Sequence, residues 1–252
     1  MPGVTRPERT PQSLLREWRE GDPSLQAAVL AAAIAAQLRA ALVRRGAASL
    51  VVSGGRTPVL MFAHLARHAL DWPRVHITLA DERWVGSDDA ASNEGLVRAT
   101  LLRGAAAQAR FQGLKNAAVT PAAGAVQAWE ALSALPRPFD VVVLGMGEDG
   151  HTASLFPGDP QLAAGLDASA SPGCLEMHSP AVPRLRLSLN LAALLDARRI
   201  FIQILGAQKW QVYQRARAAG AEAELPIRAI FRHSTAPVDV YWCPDAGGGT
   251  TP

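Results

Sequence analysis

Apolar positions Leu30, Ile34, Leu38 and Leu42 recur at four-residue spacing, which predicts a helix with Ser24 as its N-cap and Gly46 as its stop. After it the period changes. Ser49-Leu50-Val51-Val52 is a short apolar strand, and the Gly54-Gly55 pair behind it hands over to a helix with Thr57 as N-cap and Pro58 at the first position. A second strand is predicted over Val75–Leu79, running out into Ala80-Asp81-Glu82-Arg83-Trp84. Helices are predicted from near Ser92 and from Thr120-Pro121, the latter with Val126, Trp129 and Leu132 on one side. Residues 140–144 read as a buried strand that feeds a glycine-rich turn, and residues 199–205 as another that ends at Gly206 before a helix over 209–217.

Continuous apolar strands alternating with helices predict an α/β architecture, a largely parallel sheet covered on both faces. Such sheets bind ligands outside the carboxyl ends of their strands, so the polar motifs at the strand exits belong together. With 252 residues, 49% of them hydrophobic, the chain can bury one sizeable core, and no linker or repeat divides it. A single domain over residues 1–252 is expected, with loose ends at about 1–12 and 245–252, where apolar periodicity is missing.

The formal net charge is +3 and no block of five or six basic residues occurs, which argues against a nucleic-acid partner. Cys174 and Cys243 stand far apart, outside any CxxC or metal-ligand spacing, so reduced core thiols and no metal site are expected. The alanine-rich segment 25–43 contains Gln26, Gln37 and Arg39, and its uncharged run falls short of the roughly 18 to 20 apolar residues of a membrane span. Pro2, Pro7 and Pro11 stand where a signal peptide has its apolar stretch. The expectation is a cytoplasmic protein with no membrane partner, a monomer or small homo-oligomer.

Three strand exits carry chemistry. In Ser53-Gly54-Gly55-Arg56-Thr57-Pro58, the glycines let backbone amides approach an anion, as in a phosphate cradle, although a plain tight connection has the same sequence. The loop has neither the Walker A nor the GxGxxG spacing, so a nucleotide is not indicated. Asp81-Glu82-Arg83 places two carboxylates beside a guanidinium, which suits either two-pronged anion binding or a surface ion-pair cluster. Gly145-Met146-Gly147-Glu148-Asp149-Gly150-His151 is sharper. Its glycines follow a turn closed to most residues and deliver a histidine, the side chain best suited to moving protons near pH 7, with Asp149 beside it to orient the ring.

The runs SGGRTP, LADERWV, SNEGLVRATLL, VVVLGMGEDGHTASLFPG, PRLRLSL, ILGAQK and LPIRAI, in this order over roughly residues 50–231, resemble the 6-phosphogluconolactonases of the glucosamine-6-phosphate isomerase/6-phosphogluconolactonase family. The related glucosamine-6-phosphate deaminases continue the GxDGH core with Phe-Asn-Glu where this chain has Ser154-Leu155-Phe156. The resemblance implies a Rossmann-like fold of the deaminase and ribose-5-phosphate isomerase type, hydrolysis of 6-phospho-D-glucono-1,5-lactone, and no metal or organic cofactor. It implies His151 as general base, Arg83 as a substrate-contacting arginine, and Gly54, Gly55 and Thr57 as the loop around the phosphate, to which Ser53 and Arg56 of the same loop are added from its residues. Arg186 of the PRLRLSL run and Lys209 of the G-x-x-K exit join that binding set, with Asp81 and Asp149 beside them. Lys209 and Lys115 are the two lysines in a chain with 25 basic residues, so a lysine at 209 reads as chemically required or as a conventional snorkelling helix lysine. The oxyanion would be met by amides of the Gly145 to Gly150 turn or by Arg83. The rival readings are a deaminase, with Asp81 as the base, and a non-enzymatic sugar-phosphate sensor.

Overall fold

The computed structural model describes residues 14–244, so both expected loose ends lie outside the described residues. The elements follow in the order β1 (Leu15–Arg19), α1 (Pro23–Arg45), β2 (Ala48–Val52), α2 (Val59–Leu65), β3 (Val75–Leu79), β4 (Asp81–Arg83), α3 (Asn93–Thr100), β5 (Arg110–Gln112) and α4 (Pro121–Ser133). Then come β6 (Val141–Gly145), α5 (Leu162–Gly165), β7 (Cys174–His178), β8 (Leu185–Leu189), α6 (Leu191–Leu195), β9 (Ile200–Leu205), α7 (Ala207–Arg217), α8 (Ile227–His233) and β10 (Val238–Cys243).

Seven strands form one parallel sheet in the order β1-β10-β9-β6-β2-β3-β5. Every residue of β2 is buried, and because successive side chains point to opposite faces, both faces of the sheet are covered there. From β2 the chain winds outward through β3 and β5, and from β6 through β9 and β10, so the winding direction reverses between β2 and β6. That reversal opens a crevice at their carboxyl ends. A second, antiparallel sheet, β4-β8-β7, stands beside it.

Helix α1 is long and apolar enough, by length and composition, to cross a membrane. One face of it, including Leu30, Ile34 and Leu38, is instead buried in the core. Its N-cap is Asp22, whose carboxylate accepts from the Leu25 amide at 2.7 Å, with Pro23 at the first position. Ser24, expected to cap, lies one residue inside the helix start, because proline at N1 leaves the residue before it as the cap. Gly46 closes α1 with a left-handed φ of 73°.

Two further expectations are corrected. Helix α2 starts at Val59 behind Pro58, and no side chain caps it, so Thr57 belongs to the preceding loop. On α4 the buried face runs through Gly124, Ala128 and Leu132. Val126, two residues from Ala128 and hence about 200° round the helix, is 69% exposed. The helices expected from near Ser92 and from Thr120-Pro121 do start there, and both residues are caps, their hydroxyls accepting from Gly95 and Ala123. Cys243 is buried and Cys174 partly so, and burial pushes the Cys174 thiol up to about 12.

Candidate active site

A cavity of about 420 Å³ opens at the β2/β6 crevice. Its walls come from three strand exits and the small sheet. The loop after β2 contributes Ser53, Gly54, Gly55, Arg56 and Thr57, and β4 with its partner β8 contributes Asp81, Arg83 and Arg186. The turn after β6 brings Asp149 and His151, and α7 brings Lys209. The structure therefore gathers all the expected site residues around one space.

His151 owes its position to the turn. Its Nδ1 lies 2.5 Å from Asp149 Oδ1, and its own amide donates to the same oxygen at 3.1 Å. A ring whose Nδ1–H is held by a carboxylate keeps Nε2 as its proton acceptor. Gly147 makes the pair possible, because a Cβ there would stand 2.1 Å from His151 Nδ1 and 2.4 Å from Asp149 Oδ1. Phe156 packs on the ring with centroids 4.5 Å apart, where the deaminase pattern has its glutamate. Burial works to raise the Asp149 pKa, but the hydrogen bonds and charge of His151 outweigh it and hold the carboxyl below its ordinary value. The turn also spends two amides on itself: Gly147 donates to His151 and Gly150 to Gly147. Those two are thereby removed from the expected oxyanion donors.

Strand alternation splits the Asp81-Glu82-Arg83 triplet. Asp81 and Arg83 line the cavity, whereas Glu82 turns away and is fully buried. Its carboxylate accepts from the amides of Arg83, Asn93 and Glu94, each at 2.7 Å, and from the Ser92 hydroxyl. Burial, together with the neighbouring Asp81, raises its pKa against the pull of those amides. Glu82 thus fastens the start of α3 to β4, and Asn93, the first residue of α3, is placed over the cavity. The Asn93 amide donates to the Asp81 carbonyl at 2.9 Å, and its oxygen sits where a Cβ on Gly54 would be, 1.8 Å away, so Gly54 admits no side chain. The Ser154 hydroxyl donates to Asp81 Oδ2 at 2.6 Å.

Arg83 and Arg186 face each other across the β4–β8 pairing. Arg186 is 6% exposed. Burial and then the charge of Arg83 pull its pKa down, and Asp81 and Glu82 oppose them. Lys209 is likewise lowered, first by burial and further by Arg56, against Glu148 and Asp149. Like charges are crowded here, and several of their neighbours go without partners. Among the described residues, seven buried side-chain polar atoms have no hydrogen-bond partner, and five of them (Ser53 Oγ, Arg83 Nε, Asn93 Oδ1, Arg186 Nε and Gln203 Oε1) belong to residues of this cavity. Buried polar groups are normally paired, so such a concentration marks a place kept for a polar ligand. Ala153, also in the wall, is the one non-glycine residue among those described with a positive φ, 48°, a conformation that costs free energy and clusters at functional sites.

A family model described as glucosamine-6-phosphate isomerases/6-phosphogluconolactonase matches residues 21–242. The chain belongs to this family. It is 48% identical over 223 residues to a 6-phosphogluconolactonase of Pseudomonas putida, covering 88% of this chain and 90% of that one. The crystal structure of a 6-phosphogluconolactonase from Shewanella baltica is similar at a TM-score of 0.86 and 45% identity, over 94% of this chain and 98% of that one. A monomeric glucosamine-6-phosphate deaminase shares the fold at a TM-score of 0.75 and 18% identity.

Sequence reasoning did not assign Asn93 or Gln203 to the site. Asn93 follows a Ser that reads simply as a helix cap, and Gln203 stands inside an apolar strand that reads as core; for Gln203 the signal was one amide side chain in a buried run, Ile-Phe-Ile-Gln-Ile-Leu.

Proposed function

We propose that this cavity hydrolyses 6-phospho-D-glucono-1,5-lactone to 6-phospho-D-gluconate, the lactone-opening step of the oxidative pentose phosphate pathway. The observation that carries the reading is the Asp149–His151 pair set in the wall of the same cavity as Arg56, Arg83, Arg186 and Lys209. A lactone is an ester. Its opening requires a base for water, stabilisation of the oxyanion at C1, and a proton for the departing ring oxygen.

His151 Nε2 takes a proton from water as the water oxygen bonds to C1, and Asp149 stabilises the imidazolium that forms. Arg83, its Nε unspent, stabilises the oxyanion. Collapse of the tetrahedral intermediate breaks the bond from C1 to the ring oxygen, which leaves as a hydroxyl with the proton returned by His151. The Ser53 to Thr57 loop, Arg56, Lys209 and Arg186 hold the phosphate, whose binding energy positions the ring from a distance. The step uses no metal or organic cofactor and no nucleic-acid or membrane partner, and it suits a cytoplasmic enzyme acting as a monomer or small homo-oligomer.

The deaminase alternative would make Asp81 the base. That carboxylate is instead occupied by the Ser154 hydroxyl, in a place where the deaminase pattern has no hydroxyl. Acid release from freshly made lactone, corrected for spontaneous opening, is set against ammonia release from glucosamine 6-phosphate. Lactone turnover without ammonia is expected. Ammonia release would move the protein to the deaminase reading, and binding of both ligands without turnover would make it a sensor.

A further inference from the structure

The reaction above makes no use of Gln203. This residue sits near the end of β9, 3% exposed, and lines the cavity. Its amide nitrogen donates to Gln26 Oε1 at 2.9 Å. Gln26, fully buried near the start of α1, spends both of its own amide hydrogens on the carbonyls of Ile204 and Tyr241, each at 3.0 Å. With both N–H groups taken, Gln26 can offer only its oxygen, so Gln203 has to present nitrogen to α1 and its oxygen elsewhere. That oxygen has no hydrogen-bond partner among the described residues. Beside it in the β6–β9 pairing stands Gly145, where a Cβ would meet no atom within 4 Å. The cavity floor therefore keeps open space over Gly145, next to the residue that carries this oriented, unpaired acceptor, in a strand whose neighbouring residues are otherwise apolar.

We infer that Gln203 is a specificity-determining residue whose Oε1 accepts a hydrogen bond from a hydroxyl of the bound sugar, and that Gln26 is the positioning residue that fixes the direction of its amide. The inference rests on the phosphosugar-lactone reading of the cavity. It selects for a hydroxyl donor, because phosphate oxygens, a ring ether and a lactone carbonyl are acceptors only and would leave Oε1 unmet. A site built to pair with a hydroxyl discriminates against an analogue that lacks it, since the buried acceptor is then stranded.

The test measures kcat/KM for wild type, Gln203→Met and Gln26→Leu on the 6-phosphorylated 1,5-lactone and on its 2-deoxy, 3-deoxy and 4-deoxy counterparts. Gln203→Met is expected to lose about tenfold on the parent lactone. On one deoxy lactone, the one missing the hydroxyl in question, wild type and variant should be equal. Gln26→Leu should show the same pattern, weaker, and add nothing to Gln203→Met when the two are combined. A Gln203→Met enzyme with a wild-type melting curve that matches wild type on all four lactones, or is slowed by one common factor on all four, overturns the assignment. If the variant does not fold, a crystal structure of wild type with 6-phosphogluconate decides: the 2-, 3- or 4-hydroxyl within about 3.2 Å of Oε1 supports the assignment, and the absence of all three there overturns it. Wild type that turns over no lactone would remove the proposed activity, while the same crystal would still report on the hydroxyl contact.

Discussion

At the amino-terminal end of the parallel sheet, Asp140 is buried at the foot of β6 and its two oxygens are shared among Arg44, Arg45, Arg198 and the amide and hydroxyl of Ser49. Arg199 closes on buried Asp239 in the same region at 2.5 Å. At the carboxyl end the same kinds of side chain are treated in the opposite way. Arg83 and Arg186 lie side by side with unpaired Nε atoms, and Lys209 and Arg56 repel each other. A saturated network belongs to stability, because removing a member leaves its partners unmet. An unsaturated one belongs to binding, because the missing partner is the ligand. The two ends therefore respond differently to substitution.

The largest effect is expected at His151. His151→Ala should lower kcat by roughly 10²- to 10⁴-fold with a smaller change in affinity, and His151→Asn should be as slow, since an amide accepts no proton at neutral pH. Stopped-flow acid release, corrected for background opening, reads both. Near wild-type turnover by folded His151→Ala would shift the search for a base to Asp81.

Asp140→Ala should do the reverse. A lost buried partner costs up to about 3 to 5 kcal/mol; Arg44 and Arg198 are nearly half exposed and can turn to water, so the cost should fall near the lower figure. Urea unfolding measures it. Activity per folded molecule should stay unchanged, and a large fall in kcat would erase the distinction between the ends.

Lys209 sharpens the comparison with a smaller effect. Its pKa in the fold lies below the ordinary 10.5. Its contribution to stability is therefore fully present above about pH 10.5 and is lost as pH falls through the folded value, so at neutral pH the buried charge is a cost. Lys209→Met should melt no lower than wild type at pH 7 without ligand, and should lose most of the rise in Tm that 6-phosphogluconate gives wild type. Product affinity of wild type should weaken with rising pH before 10.5 is reached. A variant that melts lower and keeps its full ligand response would place Lys209 with the stability network.

Legibility in the sequence followed burial and chain continuity. Strands β2, β6 and β9 were readable because a strand covered on both faces is a nearly continuous apolar run, and β3 because Val75, Ile77 and Leu79 stand at alternate positions; their exits carried the glycines and charges that mark the site. The edge strand β1, Leu-Arg-Glu-Trp-Arg, carries three charges in five residues and has no such run. The small sheet escaped for another reason: β4 has three residues, all charged, and owes its strand form to pairing with β8, more than a hundred residues away. That pairing is what brings Arg186 to Arg83, a juxtaposition no local spacing encodes. Glu82, the middle residue of the charged triplet, was not separable from its neighbours by spacing alone; alternation along β4 turns it to the start of α3.

The measurement that tests the account most directly is the ratio of kcat/KM for the 6-phosphorylated lactone to that for unphosphorylated glucono-1,5-lactone, in wild type and in Lys209→Ala. If Arg56, Arg186 and Lys209 at the carboxyl end are reserved for the phosphate, the wild-type ratio should be at least about 100. It should fall severalfold in the variant through a raised KM on the phosphorylated substrate alone. Equal efficiency of the wild-type enzyme on both lactones would contradict the account.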